Sequence, residues 1–209
     1  MDNWERRELF TFFQKYDDPT WDILADVEIG EFYKIIKEAN ASFFLSFLYI
    51  ATKVCNQIDA LRQRILPSGE VIEYNVIHPG STILYDNRTF GFGYFRYDED
   101  FKIFLTEGLK EFENQKGKKD LDPKDADLAR IYFSPIPWIS FTGFRHPFLK
   151  PANHSIPKIV FGKHLEKNGS RFMPVGLTLH HGLADGFHAG LFYSLLQEAL
   201  NDPVKTLDL

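Results

Sequence analysis

Apolar and polar residues recur at two different periods along this chain, and the switches between them predict its elements. Phe10, Phe13 and Tyr16 return at helical spacing and predict a short amphipathic helix. Residues 21–28 alternate with period two and read as a strand. Residues 29–39 carry Phe32, Ile35, Ile36 and Ala39 at helical intervals. A broader apolar stripe follows through Phe43, Phe44, Phe47, Ile50, Ala51, Val54 and Ile58, with Asn40 placed to cap that helix. Pro67-Ser68-Gly69 between two alternating runs predicts a hairpin, and 89–97 an aromatic strand. Residues 98–112 return to the helical period. Strands are expected over 130–133 and 138–144, separated by SPIP, and over 159–165 and 172–180 around the tight-turn pair Asn168-Gly169. A last helix, 187–201, carries Leu191, Phe192, Leu195, Leu196 and Ala199 on one face and ends before Asp202-Pro203. The mixture predicts an α/β fold in one domain, 1–209.

Composition narrows the function classes. The chain has 209 residues, enough for a sizeable core. Its 33 aromatic residues, 21 Phe, 9 Tyr and 3 Trp, exceed ordinary usage and favour interfaces or an aryl pocket. The net charge of −5, with KGKKD (116–120) the one basic cluster, argues against nucleic acid. The start, MDNWERRELF, has no apolar targeting core, and the apolar run at 43–51 is far short of the ~20 residues that span a bilayer. No membrane role and a cytoplasmic location are expected. The single Cys55 excludes an internal disulfide and sits in a helical apolar stripe. The stretch 114–124 is the most linker-like and reads as a surface loop.

The candidate chemistry lies in HHGLADG (180–186) and His188, which put three of the seven histidines within nine positions. Side chains alternate across a strand, so the face carrying Met173, Val175, Leu177 and Leu179 extends to His181 and predicts that it points inward. Three readings are open for the cluster. One is a satisfied core histidine beside a helix-capping Asp185. Another is a metal site from His181, Asp185 and His188, which the helix-breaking Gly186 disfavours. The third is a general base at a strand end, where an imidazole takes a proton from an acceptor hydroxyl.

Three further pieces occur with this motif: NWERRELFTFF at the start, SPIPWISFTGF in the middle, and PKIVFGKH before MPVGLTLHHGLADGFHAG. With H-x-x-x-D-G they resemble the chloramphenicol acetyltransferase family over essentially the whole chain. The resemblance implies a two-layer sandwich, a mixed sheet flanked by helices, assembled as a homotrimer with active sites at subunit interfaces. It implies direct acetyl transfer from acetyl-coenzyme A to an acceptor hydroxyl, chloramphenicol first, with no metal and no acyl-enzyme. By that resemblance His181 is the base and Ser134 the oxyanion donor. Asp185 pairs with Arg6 to support the loop, and a bidentate arginine is a good partner for such a carboxylate. Lys163 and Trp138 fall beside coenzyme A. Phe12, Phe13, Trp21, Phe90 and Phe144 fall at aromatic positions of the acceptor pocket. Val160 stands where the family has a threonine that helps bind water, Tyr132 where it has an asparagine, and Trp21 where it has a smaller ring. Two other functions fit the same motifs: acyl transfer to a different small acceptor, and a catalytically silent trimeric binding protein.

Overall fold

The computed structural model describes residues 4–118, 121, 127–148 and 154–209; the linker-like stretch 114–124 lies partly outside them. Helix α1 (Arg7–Phe13) leads into the edge strand β1 (Thr20–Glu28). β1 pairs antiparallel along its whole length with the long strand β9 (Ser170–His180), Thr20 opposite His180 and Glu28 opposite Phe172. The sheet continues through β7 (Lys158–Gly162), β6 (Arg130–Ile136), β4 (His78–Leu84) and β5 (Phe90–Tyr94), in the order β1-β9-β7-β6-β4-β5. β6 runs parallel to both β4 and β7, and the other pairs are antiparallel, so the sheet is mixed. β8 (Leu165–Lys167) folds back on β9 across Asn168 and Gly169, both with positive φ (52° and 82°), the geometry of a tight hairpin turn. A separate ribbon pairs β2 (Gln63–Ile65) with β3 (Val71–Glu73) across the expected Pro-Ser-Gly turn.

The helices α2 (Gly30–Glu38), α3 (Phe43–Asn56), α5 (Phe101–Gln115) and α6 (Gly186–Asn201) contribute to one core with the sheet. Ile131, Phe133, Ile159, Phe161, Val175 and Leu177 from the strands meet Ile36, Phe47, Leu48, Phe104, Phe192 and Leu196 from the helices. Each buried side chain of this size stabilises the fold by about 1.5–3 kcal/mol, and together they hold the sheet in place. Cys55, fully buried in α3, belongs to this core, and burial pushes its thiol pKa far up, so it offers no thiolate. Among the described residues no helix is long and apolar enough to cross a membrane.

Four local expectations are corrected. Residues 138–144 are not a strand, because β6 already has β4 on one side and β7 on the other and leaves no free edge beside it. β6 instead runs on through Ser134 and Pro135 to Ile136, past the proline where the pattern stops it. The run 159–165 divides into β7 and β8. Asn40 does not cap α3: it takes a left-handed φ of 50° after α2, and Ser42 caps α3 by accepting from the Leu45 N–H at 3.4 Å. β4, with Pro79 and Gly80 near its start, shows no clear alternation and was not foreseen, nor were the short helices α4 (Asp59–Arg62) and α7 (Pro203–Leu207).

Candidate active site

β9 ends at His180 and the chain turns there, so the alternation that buries Met173, Val175, Leu177 and Leu179 stops one residue before His181. This corrects the inward placement of His181. The buried histidine is His180, 3% exposed, packed against Phe10, with its Nδ1 accepting from the Gly182 N–H at 3.1 Å. His181 is half-buried between two aromatic rings. It stacks on Phe13 with centroids 4.1 Å apart and planes 8° apart, and Trp21 lies 5.3 Å away. Its main-chain N–H donates to the Pro19 carbonyl at 2.8 Å. Its Nδ1 is buried with no partner among the described residues, which leaves Nε2 as the nitrogen able to meet a reactant.

Arg6 fixes the loop that carries His181. One guanidinium nitrogen donates to Asp185 Oδ2 at 2.6 Å and the other to the His181 carbonyl at 3.3 Å. The fork is divided between the two ends of the loop rather than placed bidentately on the carboxylate. Trp21 adds a third tie, its Nε1–H donating to the Ala184 carbonyl at 3.2 Å. Asp185 also caps α6, with Oδ1 accepting from the Phe187 N–H at 3.1 Å. His188 Nδ1 lies 2.9 Å from that same oxygen and 3.3 Å from the Asp185 N–H. One nitrogen cannot donate to a carboxylate and accept from an amide at once, and the shorter contact to the charged acceptor prevails. Burial raises the Asp185 pKa, but the hydrogen bonds from Arg6 and His188 and the Arg6 charge outweigh it and hold the carboxyl well below its usual range. Among the described residues no three His, Cys, Asp or Glu side chains are grouped to hold a metal ion.

Ser134 takes part in none of these contacts. It lines a cavity of about 1440 Å³ together with Tyr132, Trp138, Phe144, Lys163 and Phe90. Trp138 is 62% exposed at its rim. His181, Phe12, Phe13 and Trp21 do not line this cavity. Phe12 stands half-exposed, edge-on to Phe13 at 5.2 Å. Val160 is buried and lines a separate hollow of about 210 Å³ with Asp22, Thr142, Gly176 and Thr178. Within one chain the residues predicted for the site are thus divided, one group around His181, another around Ser134, and Val160 in a hollow of its own.

The family model described as chloramphenicol acetyltransferase matches residues 1–197. The chain belongs to the chloramphenicol acetyltransferase family. It is an acyltransferase. A chloramphenicol acetyltransferase of Staphylococcus aureus is 32% identical over 205 residues, 97% of this chain and 94% of that protein. One of Clostridium perfringens is 28% identical over 200 residues, 95% of this chain and 91% of that protein. A solved chloramphenicol acetyltransferase structure superposes with a TM-score of 0.90 at 32% identity, covering 95% of this chain and 96% of its own. The cubic core of a pyruvate dehydrogenase complex shares the fold at 16% identity, with a TM-score of 0.70 over 96% of this chain and 88% of its own.

In this family member the sheet face turned to the cavity joins Tyr132 to residues that the sequence did not single out. Asp22, Thr178, Lys158, Tyr132, Gly80 and Tyr94 are register partners in one row across six strands. Lys158 lines the cavity, donates to the Pro147 carbonyl at 3.1 Å and lies 4.0 Å above the Phe148 ring. Burial pushes its pKa down to about 8, against the attraction of Asp22. His146 also lines the cavity, edge-on to Phe144 at 4.7 Å. The only signal for these residues in sequence was one histidine and one lysine among aromatics; the register that assembles them spans more than 150 residues.

Proposed function

We propose that this protein transfers an acetyl group from acetyl-coenzyme A to a hydroxyl of chloramphenicol, as a homotrimer with three sites shared between neighbouring subunits. His181 is the general base: Nε2 takes the acceptor hydroxyl proton as the oxygen attacks the thioester carbonyl. The thiolate of coenzyme A leaves when the tetrahedral intermediate collapses, and the proton passes to it. Ser134 donates to the oxyanion of that intermediate, a contact worth about 3–4 kcal/mol in comparable sites. Arg6 and Asp185 hold the His181 loop, Lys163 and Trp138 meet coenzyme A, and the aromatic residues of the two groups enclose the aryl ring.

The observation that carries this reading is the separation of the two groups. Ser134 lines a cavity that His181 of the same chain does not line. A base on one subunit and a cavity on the next make one complete site. The cavity exceeds the ~300–1,000 Å³ of a single small-molecule site, which suits two reactants. A second reading, transfer to another small alcohol, is favoured by one specific observation, the Lys158 cation on the cavity wall. The test is release of the coenzyme A thiol from acetyl-coenzyme A, with chloramphenicol or with a panel of anionic and neutral alcohols. Chloramphenicol-dependent release is expected, and His181→Ala should lower it roughly 100- to 10,000-fold with the melting curve retained. Release with other alcohols only would replace the acceptor, and a His181→Ala rate within tenfold of the parent would remove His181 as the base.

A further inference from the structure

The Ser134 hydroxyl does not stand alone in the cavity wall. Its Oγ lies 3.3 Å from His146 Nε2, and His146 Nδ1 lies 3.2 Å from Thr178 Oγ1. Thr178 Oγ1 in turn donates to Asp22 Oδ1. The Arg145 guanidinium, 3.7 Å from the other oxygen of Asp22, closes the group. Thr178 and His146 are both buried, 4% and 7% exposed, so the contact between them is shielded from bulk water.

The direction of each hydrogen bond follows from what each group can do. A carboxylate only accepts, so the Thr178 hydroxyl proton is committed to Asp22. Thr178 Oγ1 is then left as an acceptor for His146, and the imidazole must carry its proton on Nδ1. Nε2 is left with a lone pair that faces the Ser134 hydroxyl. Burial, with the nearby Lys158 charge, pushes the His146 pKa down to about 4, so the ring is neutral at neutral pH and Nε2 stays an acceptor.

We propose that His146 is the positioning residue for Ser134, its tautomer locked by Thr178 and Asp22 so that Nε2 holds the serine hydroxyl ready for the reacting carbonyl. This rests on the reading of Ser134 as the oxyanion donor. The hold is weak by construction. At 3.3 Å to a neutral nitrogen, it lies beyond the usual hydrogen-bond range and yields to a stronger acceptor. Hydrogen bonds to an ionised oxygen are roughly twice as strong as neutral ones. The Ser134 proton therefore turns from Nε2 to the oxyanion only when negative charge develops. The serine is kept in place in the free enzyme and is released to the transition state, where its contact lowers the barrier.

The tautomer is read directly by long-range proton–nitrogen correlation on the ¹⁵N-labelled protein, the His146 signals being assigned by their loss in His146→Phe. At neutral pH Nδ1 should be protonated and Nε2 bare. Thr178→Val should unlock this state and Thr178→Ser should restore it. A protonated Nε2 in the parent, or no change in Thr178→Val, overturns the proposal. The kinetic arm uses the same variants. His146→Phe, which keeps a flat ring of similar size, should lower kcat about tenfold and leave the KM for acetyl-coenzyme A unchanged. In a Ser134→Ala background it should lower kcat no further. An equal loss in both backgrounds would show that His146 does not act through Ser134. The spectroscopic arm reads the resting protein, so it decides the relay even if the acetyl-transfer reading fails.

Discussion

Arg6 does two jobs with one side chain, because its fork is divided between the Asp185 carboxylate and the His181 carbonyl. The loop from 181 to 185 is thereby closed by a charge whose side chain is only 15% exposed. Asp185→Asn keeps the shape and removes the charge, leaving Arg6 without its ionised partner. The expected cost is about 1–2 kcal/mol, a fall in Tm of roughly 2–8 °C, together with lost activity as the His181 loop loosens. Activity lost with an unchanged melting curve would contradict the supporting role. The pH dependence has a definite sign. The folded-state pKa of Asp185 lies below the unfolded one, so its contribution is complete above about pH 4 and is lost as pH falls through the folded value. The acid limb of the stability profile should flatten in the Asn variant. The contact between Arg6 and Asp185 was legible only through the family resemblance, since 179 positions separate the two residues. The face of His181 was not, since period-two counting ran one residue past the strand that justified it. Asp22, Thr178, His146 and Ser134 were illegible as a set, because strand pairing and the loop that carries His146 bring them together across the chain.

At the scale of elements, long periodic segments were read correctly, while of the short ones α1 and the β2–β3 hairpin were foreseen and α4 and α7 were not. The stripe from Phe43 to Ile58 became α3, and the run 172–180 became most of β9. The segment 138–144 alternates like a strand yet packs over β7 as a loop. Gly162 makes this possible: a Cβ there would lie 2.7 Å from Phe141, 2.8 Å from Pro174 and 3.0 Å from the Ile139 carbonyl. The loop is anchored at that point by the Lys163 N–H donating to the Ile139 carbonyl at 2.8 Å. Gly162→Ala should therefore push the loop outward. We expect a loss of about 1–3 kcal/mol in thermal or denaturant unfolding and a raised KM for acetyl-coenzyme A, since Trp138 and Lys163 flank the contact. Unchanged stability and KM would show that the loop yields without cost and that its seat on β7 does not shape the cavity rim. Alternation alone cannot separate a strand from a loop of this kind, because the deciding fact is whether a neighbouring strand has a free edge.

At the scale of the whole molecule, the residues proposed for the site stand in separate groups on one chain. The His181 group lies where α1 and β1 meet the end of β9, and Ser134 opens into a cavity that none of that group lines. In the proposed trimer, rotational symmetry would join unlike surfaces head to tail, and each His181 would face the next subunit's cavity. The family match and the superposed fold support the acyltransfer chemistry, and the shared site is the central proposal built on it. It is tested most directly by mixing two impaired variants, His181→Ala and Ser134→Ala, unfolding and refolding them together, and measuring chloramphenicol-dependent thiol release. Every mixed trimer then holds one site with an intact base and an intact serine. At equal amounts and random assembly roughly a quarter of the parent rate should return, although neither variant alone shows it. If the mixture stays as inactive as its components, both residues serve the same subunit's site or none, and the account of a site shared between neighbours is wrong.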